Sequence, residues 1–137
     1  MVKPALLSLM IAAALLVGPA LAQDRPPAER QTLRELAYTL GESHALRQLC
    51  RGPGDQYWRD RMLRLTQVED SDAAFDAVIR ERFNTGYAAG QAQAQDCGPY
   101  SRRAEADAAA RGQALAQTLS VVMRRANPAP LDPSFEP

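Results

Sequence analysis

Past an apolar opening, the chain alternates two kinds of stretch: long segments with an apolar residue every three or four positions, and short runs of Gly, Pro and Asp. The spacing is helical and the punctuation marks helix ends, so four helices are expected. The first covers 29–50, where Leu33, Leu36, Ala37, Leu40 and His44 share a stripe that Leu46 and Leu49 widen. Arg51-Gly52-Pro53-Gly54 stops it, as glycine and proline do after a helix C-terminus. Asp55 is placed to cap a second helix over 56–68, with Trp58, Met62, Leu65 and Val68 on its inner face. Glu69-Asp70-Ser71-Asp72 turns the chain into a third helix over 72–95, whose stripe is Phe75, Val78, Ile79, Phe83, Gly86, Tyr87 and Gly90. Asp96-Cys97-Gly98-Pro99 ends that helix. Ser101 is placed to cap a fourth, which runs to 125. It is alanine-rich at first (AEADAAARGQA) and then carries Leu115, Leu119, Val122 and Met123.

Connections this short make successive helices antiparallel neighbours. The expected fold class is all-α: a small antiparallel four-helix bundle or array, a single domain over 23–125. The first and third helices then end at one pole, where Cys50 and Cys97 sit. A disulfide between them is expected, and the chain-entropy model gives a loop of that size about 4 kcal/mol. The bridge matters because alanine supplies much of the apolar content and buries little area. At 1.5 Å per residue the second helix is only about 20 Å long against about 33 Å for the first. Either the helices splay or a groove is left beside it. Gly86 and Gly90 let another helix approach closely. The alanine-rich half of the fourth helix is the expected occupant, with a homodimer surface as the alternative.

The opening changes the compartment. Lys3, the apolar run ALLSLMIAAALLV, the break at Gly18-Pro19 and the small-residue signal Ala20-Leu21-Ala22 together read as a signal peptide over 1–22, so export to the periplasm is expected. An oxidising compartment favours the disulfide. Cleavage would remove Lys3, the only lysine, and leave 15 arginines against 16 acids. That balance argues against nucleic acid as a partner. No later segment is apolar enough to cross a membrane. Residues 126–137, rich in proline and without periodicity, are expected to form a disordered tail.

The candidate chemistry is thin. No Cys-x-x-Cys or Cys/His cluster suggests a metal, nothing suggests a cofactor, and no motif presents a nucleophile. His44, the only histidine, lies on the apolar stripe, and Glu42 two residues away faces elsewhere. A structural histidine near the disulfide is therefore expected rather than a catalytic one. Trp58 is expected in the core. Arg59, Arg61 and Arg64, interleaved with Asp55, Asp60 and Glu69, read as a solvated face laced with ion pairs. Asn84 is the odd residue in a helix interior, where it is expected to mark a kink or to bond across the core. The candidate binding residues are His44, Trp58, Asn84 and Tyr87.

With the segments LRELAYTLGESHALRQLC, DQYWRDRMLRL, RERFNTGYAAGQAQAQDC and AAARGQALAQTL, the chain over about 29–123 resembles a family of small exported alphaproteobacterial proteins built on a domain of unknown function. The resemblance implies a Gram-negative periplasm and a single domain, and carries no activity or catalytic residue. The leading functional expectation is a non-catalytic periplasmic binding or adaptor module with a protein partner in the cell envelope. The second is a protein that holds a small ligand or glycan in the groove beside the short helix. The third is an enzyme pairing His44 with Glu35 or Asp55.

Overall fold

The computed structural model describes residues 25–126. The expected signal segment, and all but the first residue of the expected tail, lie outside them. Four helices follow in order: α1 (Pro27–Arg51), α2 (Tyr57–Glu69), α3 (Ala73–Gln93) and α4 (Pro99–Ala126). Every boundary falls within a turn of the expected one. Pro27 and Pro99 open their helices because a missing N–H costs nothing in the first turn. Asp72 caps α3 as expected, accepting the Phe75 N–H at 2.9 Å. Two other expected caps are displaced. Asp55 stands one residue before the N-cap Gln56, and its carboxylate takes the Tyr57 N–H at 3.1 Å. Ser101 lies inside the first turn of α4, buried, its hydroxyl accepting from the Gly98 N–H at 2.8 Å and donating to the Gly98 carbonyl at 3.1 Å. At the close of α1, Gly52 adopts φ +97°, open to glycine without strain, and donates its N–H to the Gln48 carbonyl at 2.8 Å.

The axis of the molecule is α1. It packs along α3, α4 and α2, while those three barely touch one another. Residues 39–46 are consequently buried on every side, although Thr39, Glu42, Ser43 and His44 among them are polar. Thr39 disposes of its hydroxyl by donating to the Leu36 carbonyl at 2.9 Å, and Glu42 accepts a 2.6 Å hydrogen bond from Arg111 of α4. The apolar core lies towards the other pole, where Leu33, Leu36, Leu40, Phe75, Ile79, Met62 and Leu119 meet. Burying each such side chain contributes about 1.5–3 kcal/mol.

The partner of the third-helix glycines is α1 rather than the alanine-rich half of α4. A Cβ on Gly86 would strike the Tyr38 carbonyl, and one on Gly90 would lie 2.7 Å from the Glu42 carbonyl. α1 answers with Gly41, where a Cβ would strike the Phe83 carbonyl. Three glycines thus bring two backbones together along one seam. The alanines of α4 face the opposite side of α1: Ser101, Ala104, Ala108, Gly112 and Leu119 recur every three or four residues or a multiple, and all are buried. Cys50 and Cys97 form the expected disulfide, with their Cα atoms 4.9 Å apart, which fixes the end of α1 to the α3–α4 connection.

Candidate functional site

Because α2 rests mainly on α1, it stands as a ridge with a hollow on each flank. Hydrogen bonds hold both of its ends. At the disulfide pole Gln48 donates to the carbonyls of Pro53 (2.9 Å) and Asp55 (3.0 Å), and accepts from the Tyr87 hydroxyl at 2.8 Å. Arg47 pairs with Asp55 at 2.9 Å. At the other pole Arg25 joins Glu29 of α1 (2.8 Å) to Glu69 of α2 (2.5 Å).

The first hollow is a groove of about 620 Å³ between α2 and α4, within the size range of ligand pockets. Its floor is Leu36, Thr39, Leu40 and Ser43 of α1. Trp58, Leu65 and Val68 form one wall, and the α4 surface around Ala106, Ala109, Gly112 and Ala116 forms the other. Outside the lining, Glu105 of α4 accepts from the Trp58 indole N–H at 3.2 Å and pairs with Arg47 at 3.6 Å. Val68, expected on the inner face of α2, is 74% exposed because the short helix finds nothing opposite its last turn. Arg61 and Arg64 line this groove, and no carboxylate does.

The second hollow, about 600 Å³, lies between α2 and α3. His44, Asn84 and Tyr87 all line it, whereas Trp58 belongs to the groove on the other flank. The four candidate binding residues therefore divide between two sites. His44 is 5% exposed and lies between the rings of Phe83 (5.8 Å) and Tyr87 (5.5 Å). Its Nδ1 is buried with no hydrogen-bond partner. Neither carboxylate suggested for it is engaged there: Asp55 is bound by Arg47 and the Tyr57 N–H, and Glu35 accepts from Gln31. Asn84 makes no hydrogen bond across the core. It is exposed, on a helix that runs unbroken past it.

Burial first, and then the charge of Arg59, hold the His44 pKa below its usual 6.5 against smaller opposing effects of Asp55 and Asp60. The unfolded ring takes up a proton more readily than the folded one. Stability therefore falls as pH drops from about 6.5 towards the depressed folded value, and His44 contributes no pH dependence above that window. His44→Gln is expected to flatten this slope, read as urea midpoints between pH 7.5 and 5. Asp55 acts in a separate window. Desolvation raises its pKa, but the hydrogen bonds from Arg47 and Tyr57 and the charges of Arg47 and Arg51 more than offset this and leave it below 3.8.

The sequence pattern missed the state of the α2 arginines. Arg61 stacks on Tyr57, 3.5 Å from the ring centre, and donates to the Tyr57 carbonyl. Arg59, Arg61 and Arg64 have no ion-pair partner among the described residues, because Asp55 and Glu69 are taken by Arg47 and Arg25 of the α1 side. The signal was the position of those two acids at the ends of the helix, within reach of competing arginines. Among the described residues no three His, Cys, Asp or Glu side chains gather to hold a metal, and no helix is long and apolar enough to cross a membrane.

A family model described as "Protein of unknown function (DUF2385)" matches residues 27–122, nearly all of the four-helix unit. The chain belongs to this family. Neither a curated protein nor a solved structure matches it significantly. The DUF2385 region includes both hollows, the glycine seam and the disulfide.

Proposed function

We propose that this DUF2385 protein is a non-catalytic binding module of the bacterial periplasm, and that its α2–α4 groove holds the chain of an anionic amphiphile. One observation carries the reading: the surface the groove exposes is mostly apolar despite Thr39 and Ser43 in its floor, and its only charged lining groups are Arg61 and Arg64. From Ala106 to Ala116 the α4 wall runs about 15 Å at 1.5 Å per residue, room for a medium-length acyl chain. Each methylene taken out of water contributes about 0.8 kcal/mol. An acidic head beside Arg64 gains a charge-assisted contact that no carboxylate of the protein supplies. The apolar opening of the chain, read as an export signal, puts such a module among lipids and their fragments. A partner protein of the envelope would act by delivering or receiving that ligand.

Trp58 is the only tryptophan and lines the groove, so its fluorescence reports occupancy directly. Dodecanoate below its micelle concentration should change that fluorescence saturably. Ala109→Leu, which fills the groove, should weaken binding about tenfold or more, and Arg64→Gln should weaken dodecanoate more than dodecanol. Absence of a saturable change, or undiminished binding by the filled groove, rejects the reading.

A further inference from the structure

The hollow on the α3 flank has a different chemistry, and it stands independently of the groove. Its polar lining reduces to few available groups. Gln48 is used up by Pro53, Asp55 and Tyr87, and Arg80 is paired with Asp76 at 2.7 Å. Arg59, Asn84, His44 and, at the N-terminal end of α2, Gln56 remain. Arg59 has no ion-pair partner among the described residues, and Asn84 is exposed with no hydrogen bond there. His44 is more than nine-tenths buried, and neither of its ring nitrogens has a hydrogen-bond partner among the described residues. A buried polar group left in that state calls for a physical reason, since about nine in ten buried polar groups are bonded. No Asp or Glu lines the hollow, while Phe83 and Met62 supply apolar surface beside these groups.

We propose that this hollow is a binding site for a small monocarboxylate with an apolar body, its carboxylate taken by Arg59 and Asn84 and its body lying against Phe83 beside the His44 ring. A planar carboxylate matches the two-pronged guanidinium of a single arginine. A phosphate dianion would ask for more positive charge than one unpaired arginine provides. A neutral imidazole offers one N–H and one acceptor, so His44 completes the shell without repelling an apolar body. The charged and titratable groups around it are Arg59, Asp55 and Asp60 from the α2 side and Arg80 and Tyr87 from α3. A carboxylate bound among them stabilises the protonated ring and raises its titration midpoint.

His44 is the sole histidine, so its imidazole NMR signals belong to one residue and need no assignment by mutation. The experiment titrates the untagged protein with benzoate, and with benzamide as the neutral counterpart of the same shape. Benzoate should move the His44 signals saturably and shift their titration midpoint upward, and benzamide should bind about tenfold more weakly or worse. Arg59→Gln and Asn84→Ala, both at exposed positions, should each lower benzoate affinity at an unchanged melting temperature. Ala109→Leu, which fills the opposite groove, should leave benzoate binding intact; this separates failure of one site from failure of the other. His44 signals that stay still at millimolar benzoate, equal binding of benzamide, or undiminished binding by Arg59→Gln would each overturn the proposal.

Discussion

Gly41→Ala and Gly86→Ala are expected to destabilise the protein by about 3 kcal/mol or more each, at the upper end of what overpacking costs. Local propensity points the other way, because alanine in a helix interior is favoured over glycine by about 1 kcal/mol. Neither glycine has a positive φ, so the backbone would accept alanine. The obstacle is that the atoms a Cβ would strike are the main-chain carbonyls of Phe83 and Tyr38. A side chain can rotate away, but a helix backbone can yield only by separating α1 from α3. That separation would loosen the whole seam, since Gly90 and Ala45 share it. Gly54→Ala is the control: nothing lies within 4 Å of its added carbon, and it should be close to neutral. Thermal unfolding should rank Gly41 and Gly86 as most damaging, Gly90 next and Gly54 least. For a domain of this size, 3 kcal/mol lowers the melting temperature by more than about 10 °C.

The same glycines mark where reading the sequence stopped. Helix number, order and polarity were legible because each rests on local signals: a 3–4 spacing of apolar residues, Asp72 as a cap, and Gly and Pro after α1. The disulfide was legible because two short turns put Cys50 and Cys97 at one pole. That Gly86 and Gly90 admit a close neighbour was also legible, but which neighbour was not. A bare patch on one helix specifies a distance of approach and leaves open which other helix fills it. Gly41 was the missing half of the signal, set in a run, TLGESHAL, that reads as polar. Residues 39–46 are buried because three helices surround α1 there, a property of the assembly that hydropathy does not encode. That the short second helix leaves its neighbours partly uncovered followed from helix length alone, but whether the helices would splay or leave a hollow did not. Its division into two chemistries required knowing that Arg47 and Arg25 take the acids flanking α2.

Replacing both cysteines with alanine should cost about 4 kcal/mol, from a loop whose ends are 47 positions apart. The loss should also be unevenly distributed. α1 and α3 remain joined by the glycine seam and by the core at the far pole. α4 is held differently along its length. Leu115 and Leu119 anchor its second half, but near the disulfide it meets α1 through Ser101, Ala104 and Ala108, which bury little apolar area. At that end the bridge compensates for the weak contact, aided by the Glu105 bonds to Trp58 and Arg47. Hydrogen exchange in the double variant should therefore rise first over 99–110, while the backbone around Gly41 and Gly86 keeps its protection. This segment is also one wall of the α2–α4 groove, so Trp58 should become more accessible to a quencher as the wall loosens, and reduction of the native protein should reproduce both effects. Uniform loss of protection along all four helices would mean that α4 and the α1–α3 pair form a single cooperative unit, and that the groove wall cannot open without global unfolding.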